Sequence, residues 1–115
     1  PGDPRDTTSP RAMATLMRQL LLGDGLSAAS RERLMGWLRA CETGKDRLRA
    51  GLPADWTVAD KTGTGQRGSV NDVAIAWPPA RPPLVIAAYL SDGSADLAAL
   101  ASAHAAIGGL VAQHL

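Results

Sequence analysis

Three apolar runs crowded into one stretch constrain this chain more than anything else in it. "WTVADKT", "VNDVAIAW" and "PLVIAAYL" are each of strand length, rich in Val and Ile, and bounded by Gly or Pro clusters. Only "GTGQRG" and "PPARPP" join them, and connections that short suit antiparallel neighbours. The reading is a three-stranded antiparallel meander over residues 56–91, with the prolines around Arg81 in a turn and not in a strand interior.

The segments on either side have helical period. Ser9 followed by Pro10 is a helix start, and Met13, Leu16, Met17, Leu20 and Leu21 recur at the spacing of one buried face until Gly23 and Gly25. A second helix is expected near Ser27, carrying Leu34, Trp37, Leu38 and Cys41 inward and stopping before Gly44. "KDRLRAG" reads as a short third helix. After the strands, Ser94 is the expected cap of a final helix with Leu97, Leu100, Ile107, Leu110 and Val111 at helical spacing. Gly108 and Gly109 would weaken that helix by roughly 1 kcal/mol each relative to alanine, which predicts close packing there. The chain thus divides into a loop at 1–9, a helical segment at 10–55, the meander at 56–91 and a helix at 92–115 lying across the sheet. The fold class is α+β, an antiparallel sheet flanked by helices. Three strands leave two open edges, one of them available to a ligand, the other in need of more protein.

Several function classes are disfavoured at this level. A formal net charge of +1 offers no electrostatic attraction for nucleic acid or an anionic membrane. The single cysteine, Cys41, can form no intrachain disulfide and reads as a small core residue. His104 and His114 stand ten residues apart, not as a chelating i, i+4 pair, so no metal is expected, and no cofactor. No apolar run reaches membrane-spanning length and no signal peptide opens the chain. The opening "PGDPRDTTSP" is loop sequence, and a chain that begins in a loop reads as a piece of something longer.

The chemistry concentrates in "VADKTGTGQRGSV". Alternation along a strand turns Lys61 and Gly63 one way, Thr62 and Thr64 the other, with backbone groups along the edge. An open edge of that kind can pair with an extended substrate or aim an N–H at a developing oxyanion. Gly63 removes a side chain that would block close approach, and Lys61 supplies positive charge. Read by itself, the stretch fits a solvated lysine beside a glycine-rich hairpin better than a ligand site.

The wider pattern adds to this. "RDTTSP" before a capped helix, "ADWTVADKTGTG" in the strand region, and the order of elements between them resemble the C-terminal half of a class A serine β-lactamase. Lys-Thr-Gly is one of that family's signatures, beside S-x-x-K and S-D-N. The resemblance covers the whole chain, from the tail of the family's Ω-loop at residues 1–9 to its C-terminal helix. It implies that Lys61 and Thr62 bind a β-lactam carboxylate, that the Thr64 backbone N–H is one oxyanion donor, and that Gly63 lies in the substrate wall. It also implies an arginine for the same carboxylate. Val70 stands where many members carry it, so the role falls to Arg47, with Arg49 and Arg67 as competitors. Asp6 matches a structural aspartate of the Ω-loop. The chain holds neither S-x-x-K nor S-D-N, so the resemblance implies a partner carrying the nucleophile, the N-terminal half as a second chain or missing segment. This chain alone is then expected to be inactive. The implied location is periplasmic or secreted. The rival readings are a penicillin-binding transpeptidase or carboxypeptidase fragment, against which "RDTTSP" argues, and a non-catalytic module that pairs peptides along the open edge.

Overall fold

The computed structural model describes residues 5–115. The elements run α1 (Pro10–Leu21), α2 (Ala28–Arg39), α3 (Leu48–Gly51), β1 (Thr57–Thr64), β2 (Val70–Trp77), β3 (Leu84–Leu90) and α4 (Leu97–Gln113). The strands form one antiparallel sheet in the order β1-β2-β3, so β1 and β3 are its edges. Of the opening segment, residues 1–4 lie outside the described part; Asp6 is exposed in the turn before α1, with a left-handed φ of 56°.

Local chemistry starts the first two helices where the sequence predicts. The Ser9 hydroxyl accepts from the Ala12 N–H at 3.1 Å, and Ser27 does the same for Ser30 at 3.3 Å. The last helix departs from expectation. Its cap is Asp96, whose carboxylate accepts from the Ala99 N–H at 2.8 Å, and not Ser94. Both residue types cap well, so the choice fell to where the chain leaves β3.

The sheet separates two layers. On one face Ala59, Val73 and Ile75 pack under Met17 and Leu21 of α1 and Leu38 of α2. On the other, Ala74, Ala76, Ile86 and Ala88 pack against Leu48 and Leu52, with Ile107 and Val111 of α4. Gly108 is buried, and a Cβ there would overlap the carbonyl oxygen of Leu48, so α3 and α4 touch backbone to backbone. His104, fully buried, has Nδ1 2.9 Å from the Leu100 carbonyl and Nε2 3.3 Å from that of Ala88, joining α4 to β3.

The helical stripes are narrower than their spacing suggests. Trp37, expected inward, is 68% exposed, and Leu16, Leu97 and Leu110 are exposed too. In α2, contact with the core runs through Leu34, Met35 and Leu38. Trp37 comes immediately before Leu38 and lies about 100° round the helix from it, beyond the sheet's reach. Cys41 falls past the helix end and is half-buried.

Candidate functional site at the open edge of the first strand

The β1–β2 hairpin decides which way the backbone of β1 points. The Gly65 N–H donates to the Ser69 carbonyl at 2.8 Å, and the register runs on through Gly63↔Asn71 and Lys61↔Val73. In an antiparallel ladder hydrogen-bonded pairs alternate with unbonded ones. Gly65, Gly63 and Lys61 therefore face β2, while the backbone N–H and C=O groups of Thr64 and Thr62 project from the open edge. The turn itself needs glycine at 68, where φ is +65° and a Cβ would lie 2.5 Å from the Gly93 carbonyl oxygen.

Behind that edge stands Arg47, at the N-terminal boundary of α3 and only 5% exposed. Its Nη1 donates to the carbonyls of Gly63 (3.0 Å) and Asn71 (2.7 Å), and its Nη2 to Thr64 Oγ1 (2.6 Å). Arg49, two residues on, turns elsewhere and pairs with Asp60. Arg67 sits exposed in the hairpin with φ 58°. Of the three arginines considered, Arg47 is the one held against Gly63 and Thr64.

Lys61 is exposed, and its Nζ donates to the Thr62 carbonyl at 2.6 Å. Thr62 Oγ1 lies 2.5 Å from Thr43 Oγ1 in the α2–α3 loop, and Thr43 Oγ1 lies 3.5 Å from Cys41 Sγ. Thr62, Thr64, Thr43, Arg47 and Lys45 line a cleft of about 410 Å³, together with Glu42, Asp46 and Leu97. A larger hollow, about 880 Å³, lies between α1 and β3 and is lined mainly by Pro and aliphatic side chains. It holds none of the residues that the Lys-Thr-Gly pattern singles out.

Sequence reasoning missed the charges beneath the strand. Asp60 and Asp72 are fully buried on neighbouring strands, on the same face as Thr62. Asp72 Oδ2 accepts from the Leu48 N–H at 3.2 Å. Burial and the adjacent Asp60 carboxylate push the Asp72 carboxyl from 3.8 up to about 7, against opposing pulls from Leu48, Arg47 and Arg49. Gly44 covers Asp60 so closely that a Cβ there would overlap its carboxylate. The signal was available: two aspartates inside strands, on the alternation face that carries Val58, Ala74 and Ala76, require buried cationic or N–H partners. Among the described residues no group of three or more His, Cys, Asp or Glu is placed to hold a metal ion, and no helix is long and apolar enough to cross a membrane.

Known proteins share this fold. The beta-lactamase enzyme family matches residues 2–115. Beta-lactamase AST-1 of Nocardia asteroides is 55% identical over 96 residues, 84% of this chain and 31% of that protein. Beta-lactamase AER-1 of Aeromonas hydrophila is 48% identical over 108 residues, 94% of this chain and 36% of that protein. The chain thus spans about a third of the length of these relatives. The solved structure of an ancestral (GNCA) class A beta-lactamase superposes with a TM-score of 0.97 at 56% identity, covering 100% of this chain and 44% of that one. With one family matched along nearly its whole length and class A structures superposing on all its elements, the chain belongs to the beta-lactamase enzyme family, among relatives of class A.

Proposed function

We propose that this chain supplies the substrate-binding wall of a β-lactam-hydrolysing serine enzyme. The observation that carries the reading is the open edge of β1: the Thr62 and Thr64 N–H groups project from it, Lys61 is exposed beside it, and the Arg47 guanidinium is fastened behind it. Lys61 and Thr62 bind the β-lactam carboxylate, with Arg47 adding positive charge behind them. The Thr64 N–H takes the oxyanion that forms when a serine attacks the lactam carbonyl, and Gly63 lets the substrate come close. Acylation of that serine and hydrolysis by an activated water complete the reaction, and no metal takes part. Such an enzyme confers β-lactam resistance and works in the periplasm or outside the cell.

These 115 residues contain no S-x-x-K. The nucleophile and its lysine therefore come from the N-terminal half, as a second chain or a continuous segment, and this chain alone turns nothing over. Asp6 serves a structural part in the loop that the two halves share. The test is to mix this chain with a polypeptide carrying the upstream half and to follow the opening of a chromogenic cephalosporin. Fast turnover only in the mixture supports the reading; slow acylation without turnover points to a penicillin-binding protein. No reaction from folded, associated halves sinks both. In the active enzyme, Lys61→Ala is expected to raise KM between about tenfold and a hundredfold, the range of a lost hydrogen bond to a charged group. An unchanged KM would remove Lys61 from the carboxylate subsite.

A further inference from the structure

Two threonine hydroxyls face the cleft, and each has a polar group behind it. Arg47 can only donate, so its Nη2 contact at 2.6 Å makes the Thr64 oxygen an acceptor and leaves the Thr64 proton free for the cleft. Thr62 has a hydroxyl behind it instead, Thr43 Oγ1 at 2.5 Å, reaching across 19 residues of sequence from the α2–α3 loop. Between two hydroxyls the direction of donation is open. If Thr62 donates to Thr43, it shows an anion only lone pairs and repels it. If Thr43 donates to Thr62, the Thr62 proton is left to point into the cleft.

The geometry points to Thr43 as the positioning residue that sets the Thr62 hydroxyl to donate to a bound carboxylate. This rests on the reading of the edge as a β-lactam carboxylate subsite. A carboxylate only accepts, so once it takes the Thr62 proton the Thr43 proton is the one left for the Thr43–Thr62 bond, and the third member of the chain is compatible with that direction. Cys41 Sγ lies 3.5 Å from Thr43 Oγ1, and a thiol S–H donated there would occupy a Thr43 lone pair and leave its proton for Thr62. Hydrogen bonds running one way polarise one another, so an anion on Thr62 strengthens the whole Cys41–Thr43–Thr62 series. Thr43 sits on the cleft wall yet acts on substrate through Thr62.

The experiment compares Thr43→Val, which keeps the shape and removes the hydroxyl, with Thr43→Ser, which keeps the hydroxyl. Both are made in the complete enzyme, this chain together with the nucleophile-bearing half. Thr43 is exposed, so neither change burdens the core. With a chromogenic cephalosporin, Thr43→Val is expected to raise KM about tenfold, the size of one hydrogen bond to a charged group, with kcat within about twofold. Thr43→Ser is expected to restore KM. With the same cephalosporin esterified at its carboxylate, the three proteins should not differ. An unchanged KM in Thr43→Val, or an equal rise on the ester, overturns the assignment while leaving the β-lactam reading intact. A wild-type enzyme that turns over neither substrate overturns that reading and this assignment together.

Discussion

Gly51→Ala is expected to destabilise the folded enzyme by more than about 3 kcal/mol, the upper range for forced overpacking. A Cβ at residue 51 would overlap the carbonyl oxygen of Ala105 and come within 2.7 Å of the Gly109 nitrogen. Both are backbone atoms of α4, so no side-chain rotation relieves the clash. Neither helix can retreat. Leu48 of α3 is fully buried, its N–H is held by Asp72, and a Cβ at Gly108 would overlap its carbonyl. The consequence reaches the site, because Arg47 enters at the start of α3 and its guanidinium bridges β1 and β2. Gly36→Ala is the matched control. It lies inside α2 with nothing within 4 Å of the added Cβ, so helix propensity should make it neutral or stabilising by up to about 1 kcal/mol. Urea unfolding of the complete enzyme measures both. Equal midpoints for Gly51→Ala and wild type would mean that α3 and α4 do not meet at that distance.

The second large effect is a pH dependence that Asp72→Asn should abolish. In the unfolded chain this carboxyl titrates near 3.8; in the fold, burial first and the Asp60 carboxylate second raise it to about 7. Between those values the folded protein holds a proton that the unfolded protein has released. The contribution of Asp72 to stability therefore falls as pH rises from about 4 to 7 and levels off above it, by an amount on the order of 2–4 kcal/mol. Asparagine has the same shape, still accepts from the Leu48 N–H, and never ionises. At pH 8 Asp72→Asn should be the more stable protein by on the order of 2 kcal/mol, and near pH 4 the two should converge. Denaturant midpoints measured across that range decide it; parallel curves for the two proteins would show that Asp72 is not the group responsible.

Much of the frame was legible in the chain because its causes are local. The caps at Ser9 and Ser27 are single side chains bonding N–H groups three residues away. The strands follow from β-branched runs between turn residues, and the close approach at Gly108 from a glycine placed where helix propensity argues against one. The misreadings share another cause. Trp37, Leu16, Leu97 and Leu110 have helical spacing but are exposed, since spacing marks a stripe and only the neighbouring element sets its width. The buried Asp60 and Asp72 passed as ordinary strand residues because their partners, Arg49 and the Leu48 N–H, come from a helix about a dozen residues or more away in sequence.

The sequence by itself determined the α+β class, the antiparallel order of the strands, and the place of Lys61, Thr62 and Thr64 on an edge. Each follows from residue period and loop length, which neighbouring residues set among themselves. It named Arg47 over Arg49 and Arg67 only through the family resemblance, with no contact to hold it there, and it could not bring Thr43 to Thr62. Arg47 and Arg49 lie two residues apart at the start of a four-residue helix, about 200° round its axis from each other, so the rotation of that helix decides which guanidinium points where. The docking of α3 against α4 and β2 settled that rotation, sending Arg47 to Gly63 and Thr64 and Arg49 to Asp60. Those contacts join segments far apart in the chain, so the reason for them exists only once the layers are packed.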